Sequence, residues 1–536
     1  MTALPHVSTL FRDYVSSLVE TDVSAESALK LQPFYSPLYR GNDWMQHPPT
    51  MENAARQAIT DLLRTQNSEF GAGPTTAANL DRLGEGAAAV VTGQQVGLFG
   101  GPLLTLMKAA TAIHLADEAS RSGQPHVPIF WLASEDHDFE EINQATFLSD
   151  DGLETLRLPH NPAPGNLVGN LRLGKEIVPL VGQLRRYLGE SAIAEVLSSL
   201  YTPAATFASA FAGFLTRIFG DHGLIVIDAA ARPFHALAHG TLRAAIEQAD
   251  DIQDALLRRT QELDRAGYHS QVAVGGSSTM LFLIDENTGV RTALKKSSGG
   301  SWSAGARQYS SAELLGILDS APERISPNVL LRPVMQDTLL PTSVYIGGPA
   351  EVAYFAQTQV VYQHILGRST PILPRLSATL VDPRLTRILD QHQLSLTDVF
   401  TTSDALAQQL GARAMPVEGK RKLAATGNAL DRELKTLTEW MHAQNQGLGH
   451  AGDVAASKML YQMNRLRRLS AAYTLEREQN LRRHAEALCR QLFPGGNLQE
   501  RVLAGAFFLA RGNPALIDQL VDSAEPGPCA HRALPS

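Results

Sequence analysis

The stretch Ser134-Glu135-Asp136-His137-Asp138-Phe139-Glu140-Glu141-Ile142-Asn143 sets one imidazole among five carboxylates. A histidine so flanked is equipped for general-base chemistry, and Asp136 or Asp138 could orient it or hold a substrate ammonium or a divalent cation. The plainer reading is an acidic first turn that caps a helix, which would account for Asp138, Glu140 and Glu141. Capping is the expectation for Glu140 and Glu141, and function for Asp136 and His137, with Glu135 beside them. Upstream, Thr92-Gly93-Gln94-Gln95-Val96-Gly97-Leu98-Phe99-Gly100-Gly101-Pro102 forms a glycine-rich turn. Between a strand and a helix such a turn offers amide N–H groups and the helix dipole to an anion. Thr92, Gly93, Gln94, Gln95, Gly97, Gly100 and Gly101 are therefore candidate ligand-binding residues. The turn is neither a Walker A loop nor GxGxxG, and glycine for tight packing is its alternative.

Further along, Arg332 could grip a carboxylate bidentately, with Asp337 in the same segment. Gly347-Gly348-Pro349 opens a helix in which Glu351 lies in the first turn, a second candidate anion seat. Dipole stabilisation by Glu351 and a turn or cap at Asp337 are the plainer alternatives. Lys108, Pro374-Arg375 and Lys295-Lys296 are weaker signals. His222, His235 and His364 have no evident partners and are read as structural. His137 has no HxxxH or HxH companion nearby and the chain has two cysteines in all, so a transition-metal site is not expected there. Any metal should be magnesium carried on nucleotide phosphates.

Elements that would position these groups alternate along the chain. Ala87–Val91, Val127–Leu132, Leu224–Asp228, Thr342–Ile346 and Ile372–Leu373 are short apolar runs of strand length. Helical patterns at Leu103–Ala119, Arg232 to about Arg265 and Ala350–Leu366 intervene. That alternation predicts a doubly wound, Rossmann-like α/β parallel sheet, whose ligands bind beyond the carboxyl ends of its strands. The glycine turn and the acidic segment should then face one crevice.

The implied organisation is N-terminal helices and the first half of the core over 1–146, an inserted subdomain over 147–219 and core again over 220–269. A β-rich insertion with an Asn-Thr-Gly turn occupies 270–320, and the second half of the core 321–382. Leu423, Leu430, Leu434, Leu437 and Met441, then Met459, Met463, Leu466 and Tyr473, keep a heptad-like spacing over 383–496. An antiparallel helical coiled coil turning at Gly447, Gly449 and Gly452 is expected, followed over 497–536 by a C-terminal helix and a tail that is Pro-rich and frayed from Glu525.

The chain has 536 residues, 44% hydrophobic and 19% charged, with a formal net charge of −8. That is an ordinary globular composition, and its mild acidity argues against nucleic acid or an anionic membrane as partner. Cys489 and Cys529 are too few to frame a disulfide fold, so a reducing cytoplasm is expected.

These segments resemble the bacillithiol biosynthesis cysteine-adding (BshC) family. The resemblance rests on VTGQQVGLFGGPLLTLMKA (Val91–Ala109), PIFWLASEDHDFEEIN (Pro128–Asn143), SPNVLLRPVMQDTLLPTSVYIGGPAEVAYFAQ (Ser326–Gln357) and PILPRLSATL (Pro371–Leu380). It implies a Rossmann-like core with two connecting insertions, a coiled coil that pairs chains as a homodimer, and a ligase that adds L-cysteine to glucosaminyl malate. Making that amide needs an activated carboxyl, most simply an acyl-adenylate or acyl-phosphate from ATP with Mg2+. His137 would be the base and Arg332 the seat of the malate carboxylates. Two other readings stand beside it: an adenylate-forming ligase or nucleotidyl transferase for another amino acid, and a non-catalytic, nucleotide-binding dimeric scaffold.

Overall fold

The computed structural model describes residues 4–5, 7–19, 26–35, 41–46, 48–149, 152–159, 165–297, 299–511, 513–525 and 531–536; Cys529 lies outside the described residues. Strands that bear on the site are β1 (Ala88–Gln94), β2 (His126–Leu132), β3 (Ile225–Ile227), β4 (Ser278–Ile284), β5 (Arg291–Lys296), β6 (Trp302–Ala304), β7 (Arg307–Tyr309), β8 (Ile325–Pro327), β9 (Thr342–Gly347) and β10 (Ile372–Pro374). Helices named below are α1 (Leu104–Arg121), α2 (Arg332–Leu339), α3 (Pro349–Leu366), α4 (Val417–Gln444) and α5 (Gln446–Arg477).

The expected parallel sheet is present, in the order β10-β9-β1-β2-β3. Register runs from Ala88 opposite His126 to Gln94 opposite Leu132, with Thr92 opposite Ile346 on the other side of β1. Both faces are covered, which is why these strands are continuously apolar and do not alternate. Ala89, Val91, Ile129 and Tyr345 join one buried cluster with Val352 and Phe355 of α3. Val90, Val344 and Ile346 point the other way, onto Ala112, Leu115 and Ala116 of α1. The chain goes from β1 to β2 on one side and later returns to β9 on the other. The topological switch therefore lies between β1 and β9, where a crevice opens beyond the strand ends.

The first insertion is a hairpin (Gln144–Leu148 with Leu153–Arg157) followed by helices Ile177–Leu188, Ala192–Leu200 and Phe207–Phe219. The second is an antiparallel sheet in the order β8-β4-β5-β6-β7. Its expected turn is built on Asp285, whose Oδ1 accepts from the amides of Asn287 (3.1 Å) and Thr288 (3.0 Å). The single helical stretch read from Arg232 to Arg265 is three helices, Arg232–Leu237, His239–Glu247 and Ala249–Arg265.

Two compact units result, 1–378 with 500–532 and Ser536, and 379–499 with 533–535. The helical stretch expected after 497 is present as Gln499–Val502, Gly505–Arg511 and Leu516–Asp522. Segment 500–532 belongs to the first unit, where the Ala504 and Gly505 amides donate to Thr146 O (2.9 Å) and Gly101 O (3.0 Å).

The second unit contains the expected helical hairpin, but its turn is at Asn445 alone. The Asn445 Oδ1 accepts from the amides of Gly447 (2.8 Å) and Leu448 (3.2 Å) and so starts α5 as an N-cap. Gly449 and Gly452 lie within α5, where a Cβ would come 2.2 Å from the His442 ring and 2.8 Å from Met441 Sδ. Close approach of α4 and α5 explains those glycines, not a turn. Of the heptad residues, Leu434 and Met463 are buried, whereas Leu437, Met459, Leu466 and Tyr473 are more than half exposed. Cys489, also in this unit, is buried and free, and burial pushes its thiol pKa up to about 11.

Gly100 has φ +87° and a Cβ there would lie 2.4 Å from the Phe214 ring. Gly100→Ala should lower the unfolding free energy by about 2–4 kcal/mol in a denaturant titration, because strain and overpacking act together.

Candidate functional site

Beyond the carboxyl ends of β1, β2, β9 and β10 lies a cavity of about 720 Å³, large enough for two small substrates. Among the residues singled out from sequence, Gly93, Gln94, Gln95, Glu135, Asp136, His137, Arg332, Gly348 and Glu351 line it. The glycine turn and the acidic segment do meet there. Gln95 Nε2 donates to Asp136 Oδ2 and to Glu141 Oε2, both at 2.6 Å.

Thr92, Gly97, Gly100, Gly101, Asp138, Asp337 and Gly347 are not among the lining residues. Thr92 is buried in β1 and its hydroxyl donates to Ile346 O at 2.9 Å. Beyond Gln95 the turn folds on itself: the amides of Gly97, Gly100 and Gly101 donate to Gln95 O (2.9 Å), Tyr201 Oη (2.9 Å) and Leu98 O (3.1 Å). Those three donors are spent, so the expected anion seat at Gly97–Gly101 is corrected to a packed connection. Gly93 is glycine for a related reason, since a Cβ would sit 2.8 Å from Trp131 O. Gly347 leaves room for Ile372, 2.8 Å from where its Cβ would be. Asp337 is a buried tie, accepting from Tyr362 Oη (2.7 Å), Gln336 Nε2 (3.0 Å) and the Thr370 hydroxyl, and it locks α2 to α3. Asp138 is exposed and its side chain makes no cap bond on the single-turn helix Phe139–Ile142. Glu141 was expected only to cap, yet it lines the cavity.

The site also recruits residues that sequence reasoning ranked low or passed over. Lys108 is buried, donates to Gly93 O at 2.6 Å and pairs with Glu351. Burial lowers its pKa while Glu351 opposes that. Burial alone would raise Glu351, but Lys108, the Gly348 amide and the Tyr345 hydroxyl hold its carboxyl below the usual range. Its bonds are 2.7 Å from Gly348 N and 2.6 Å from Tyr345 Oη, so the capping role expected for Glu351 and a site role coincide.

Arg375 is buried and donates to Glu500 Oε1 at 2.6 Å. Ser377 Oγ (3.1 Å) and Ala378 N (2.9 Å) also donate to that carboxylate. Burial pushes Glu500 up, and Arg375 more than offsets it. His235 is not partnerless: it is fully buried, with Nε2 3.1 Å from Glu135 Oε1. Desolvation works against its charge, but Glu135 holds its pKa above the ordinary imidazole value, and His235 in turn holds Glu135 low. His222 pairs with Asp518 at 3.0 Å, and His364 Nδ1 lies 2.7 Å from Val360 O. Arg291, at the start of β5, reaches the cavity from the second insertion, its guanidinium 3.2 Å from His137 Nδ1. No carboxylate orients the His137 ring as expected, because Asp136 Oδ1 is 3.6 Å from Nδ1.

Charge is unevenly spread along the sheet edge, with Arg291 the cation set among the carboxylates that follow β2. Glu135, Asp136 and Glu141 follow β2, whereas Lys108, Arg332, Arg375 and Arg501 gather around Glu351 toward β9 and β10. Three strand spacings separate β2 from β10, about 14 Å. Within the basic group Arg332 is distinctive. It bonds the neutral Gln336 Oε1 at 3.0 Å and lies over the Tyr345 and Trp131 rings, 5.3 and 5.8 Å from their centroids. Burial opposes its charge, yet Tyr345, Tyr354 and Glu351 hold its pKa above the ordinary guanidinium value. No carboxylate among the described residues forms a salt bridge with it, which leaves donors of its guanidinium unpaired with any anion.

The sheet is Rossmann-like and of the doubly wound class, in which a cavity at the switch point is the usual place for a ligand. Residues 4–376 match the family model described as bacillithiol biosynthesis BshC, N-terminal Rossmann-like domain, and residues 378–534 match bacillithiol biosynthesis BshC, C-terminal coiled-coil domain. Relatives named putative cysteine ligase BshC include those of Koribacter versatilis (39% identical, covering 100% of this chain and 98% of that one), Solibacter usitatus (37%, 89% of each) and Salinibacter ruber (32%, 92% of each). The chain belongs to the BshC family of bacillithiol biosynthesis.

Two outcomes follow from the buried charges. Lys108→Met should cost about 3–5 kcal/mol of unfolding free energy, and Lys108→Met/Glu351→Leu should recover much of it, since an unpaired buried charge costs more than an absent pair. An equal loss in the double variant would sink this. Glu135, Glu351 and Glu500 have depressed folded-state pKa values. Their stabilisation is complete above the unfolded glutamate pKa of about 4.3 and is lost as pH falls through the folded values. The acid limb of the stability curve should therefore be shallower in Glu500→Gln, read by thermal melts across pH.

Proposed function

We propose that this chain is the cysteine ligase that joins L-cysteine to glucosaminyl malate to give bacillithiol. The observation that carries the reading is the split cavity, with Arg332 free of a carboxylate at one end and Asp136 and Glu141, bridged only by a neutral glutamine amide, near the other. Glucosaminyl malate brings both complements, carboxylates for Arg332 and an amine for the acidic side. As that nitrogen attacks the cysteine acyl carbon it loses a proton, and the new C–N bond forms as the activating group leaves. The proton passes to the acidic end of the cavity, where Asp136 stands with Glu141.

Amide formation in water needs an activated carboxyl, and ATP with magnesium is the proposed activator. The Gly97–Gly101 turn does not fit its phosphates, because its amides are already partnered. Lys108, Arg332, Arg375 and Arg501 form the donor set that would hold such an anion. When bound, it would turn the cysteine carboxylate into a better electrophile. The family resemblance and the exposed apolar row Leu437, Trp440, Met459, Leu466 and Tyr473 favour a homodimer paired through the coiled coil. Small molecules, not nucleic acid or membrane, are the proposed partners, in the cytoplasm; no described helix is long and apolar enough to cross a membrane.

Cells lacking the chain should lose bacillithiol and accumulate glucosaminyl malate, as measured by thiol labelling and mass spectrometry. Re-expressed Arg332→Ala should restore little, with a loss of at least ten-fold from one missing charge-assisted pair. Normal thiol in the deletion strain would overturn the assignment.

A further inference from the structure

The histidine in this cavity is held by a cation, not by a carboxylate, and that decides which of its nitrogens carries the proton. We infer that Arg291 is a positioning residue that sets the tautomer of His137, so that the imidazole meets substrate as a hydrogen-bond donor through Nε2–H and does not serve as the base. The inference deepens the ligase reading and rests on it for the identity of the substrate.

Arg291 cannot accept a hydrogen bond, so His137 Nδ1, 3.2 Å from its guanidinium, must be the acceptor. A ring whose Nδ1 accepts carries its proton on Nε2. The guanidinium itself has little freedom: Nε donates to Ser326 Oγ at 3.1 Å, Nη2 to Pro327 O at 2.7 Å, and the plane lies 3.7 Å from the Phe282 ring centroid. The same Phe282 ring flanks the imidazole, with centroids 5.9 Å apart.

The nearest carboxylate stands further from the ring than Arg291 does, with Asp136 Oδ1 3.6 Å from Nδ1, and it is bonded elsewhere. Asp136 Oδ1 accepts from the His137 backbone amide at 2.7 Å and its Oδ2 from Gln95 at 2.6 Å. Glu135 is turned to the buried His235. A fixed neutral donor at the cavity wall suits a carbonyl or hydroxyl oxygen of the substrate, above all the acyl oxygen on which negative charge grows during amide formation. The ring proton stays where it is, and the proton of the attacking amine goes to the carboxylates.

The first test reads the tautomer directly, by 15N NMR of the full chain labelled at histidine, with a His137→Gln sample identifying the His137 ring signals by their loss. The Nε2–H pattern is expected in the wild type, and its replacement by a mixture in Arg291→Met. An Nδ1–H pattern in the wild type overturns the inference. The second test reads function, as the rate of bacillithiol formation in cells after thiol depletion. His137→Gln, whose side-chain amide can stand in for Nε2–H, should stay within about ten-fold of wild type, while His137→Ala falls about 100-fold or more. A Gln variant as inactive as the Ala variant would count against a donor role. Failure of the ligase reading would show separately, as unchanged thiol in the deletion strain, while the ring spectrum would still report the tautomer.

Discussion

Everything at the cavity hangs from the buried contact between Lys108 and Glu351. An open parallel sheet splits where its strand order reverses, and here that gap falls between β1 and β9. Lys108 reaches back from α1 to the carbonyl of Gly93 at the end of β1. Glu351 reaches back from α3 to the Gly348 amide and the Tyr345 hydroxyl at the end of β9. Their pairing closes the floor of the crevice with one ionic contact and three hydrogen bonds. In so dry a place either charge alone would be costly, which is why each holds the other in place.

The same logic recurs at the periphery and explains why distant segments are needed. Arg375, at the end of β10, is kept in the cavity wall by Glu500, more than a hundred residues further on. Glu135, after β2, is matched by His235, and Arg291 from the second insertion is matched by Ser326 and Pro327 beside it. These three groups facing the cavity are braced from behind by elements outside the central sheet. The insertions and the returning C-terminal segment thus act as supports for charges that the five strands could not hold alone.

What could be seen in the sequence was whatever is encoded locally. The strands announce themselves as unbroken apolar runs because both their faces are covered, and the Asn-Thr-Gly turn and the helical hairpin follow from short-range spacing. That the glycine turn and the acidic segment meet at one crevice was legible too, since strand ends in this class share one edge. Arg291, Arg375 and the partnership of His235 were not, because nothing near them in the sequence distinguishes a lysine or arginine in a loop from one folded over the sheet. The glycines misled in the other direction. Gly97, Gly100 and Gly101, and likewise Gly449 and Gly452, are small because another chain segment or side chain presses close, and one sequence cannot separate that need from a need for backbone approach to a ligand.

That distinction also decides where an anion would be held. A glycine turn before a helix binds anions only while its amide hydrogens are free, and here Gly97, Gly100 and Gly101 have spent theirs on Gln95, Tyr201 and Leu98. The burden passes to side chains, and side chains can be sorted by strand. Three carboxylates follow β2, while Lys108, Arg332, Arg375 and Arg501 lie with Glu351 toward β9 and β10, so the strand order β10-β9-β1-β2 spreads charge unevenly across the cavity, Arg291 being the cation on the acidic side. A small molecule with a carboxylate at one end and an amine at the other meets more cations at one end of the cavity and more carboxylates at the other. In the ligase reading proposed above, sheet topology would set the orientation of the substrate before any single contact is made.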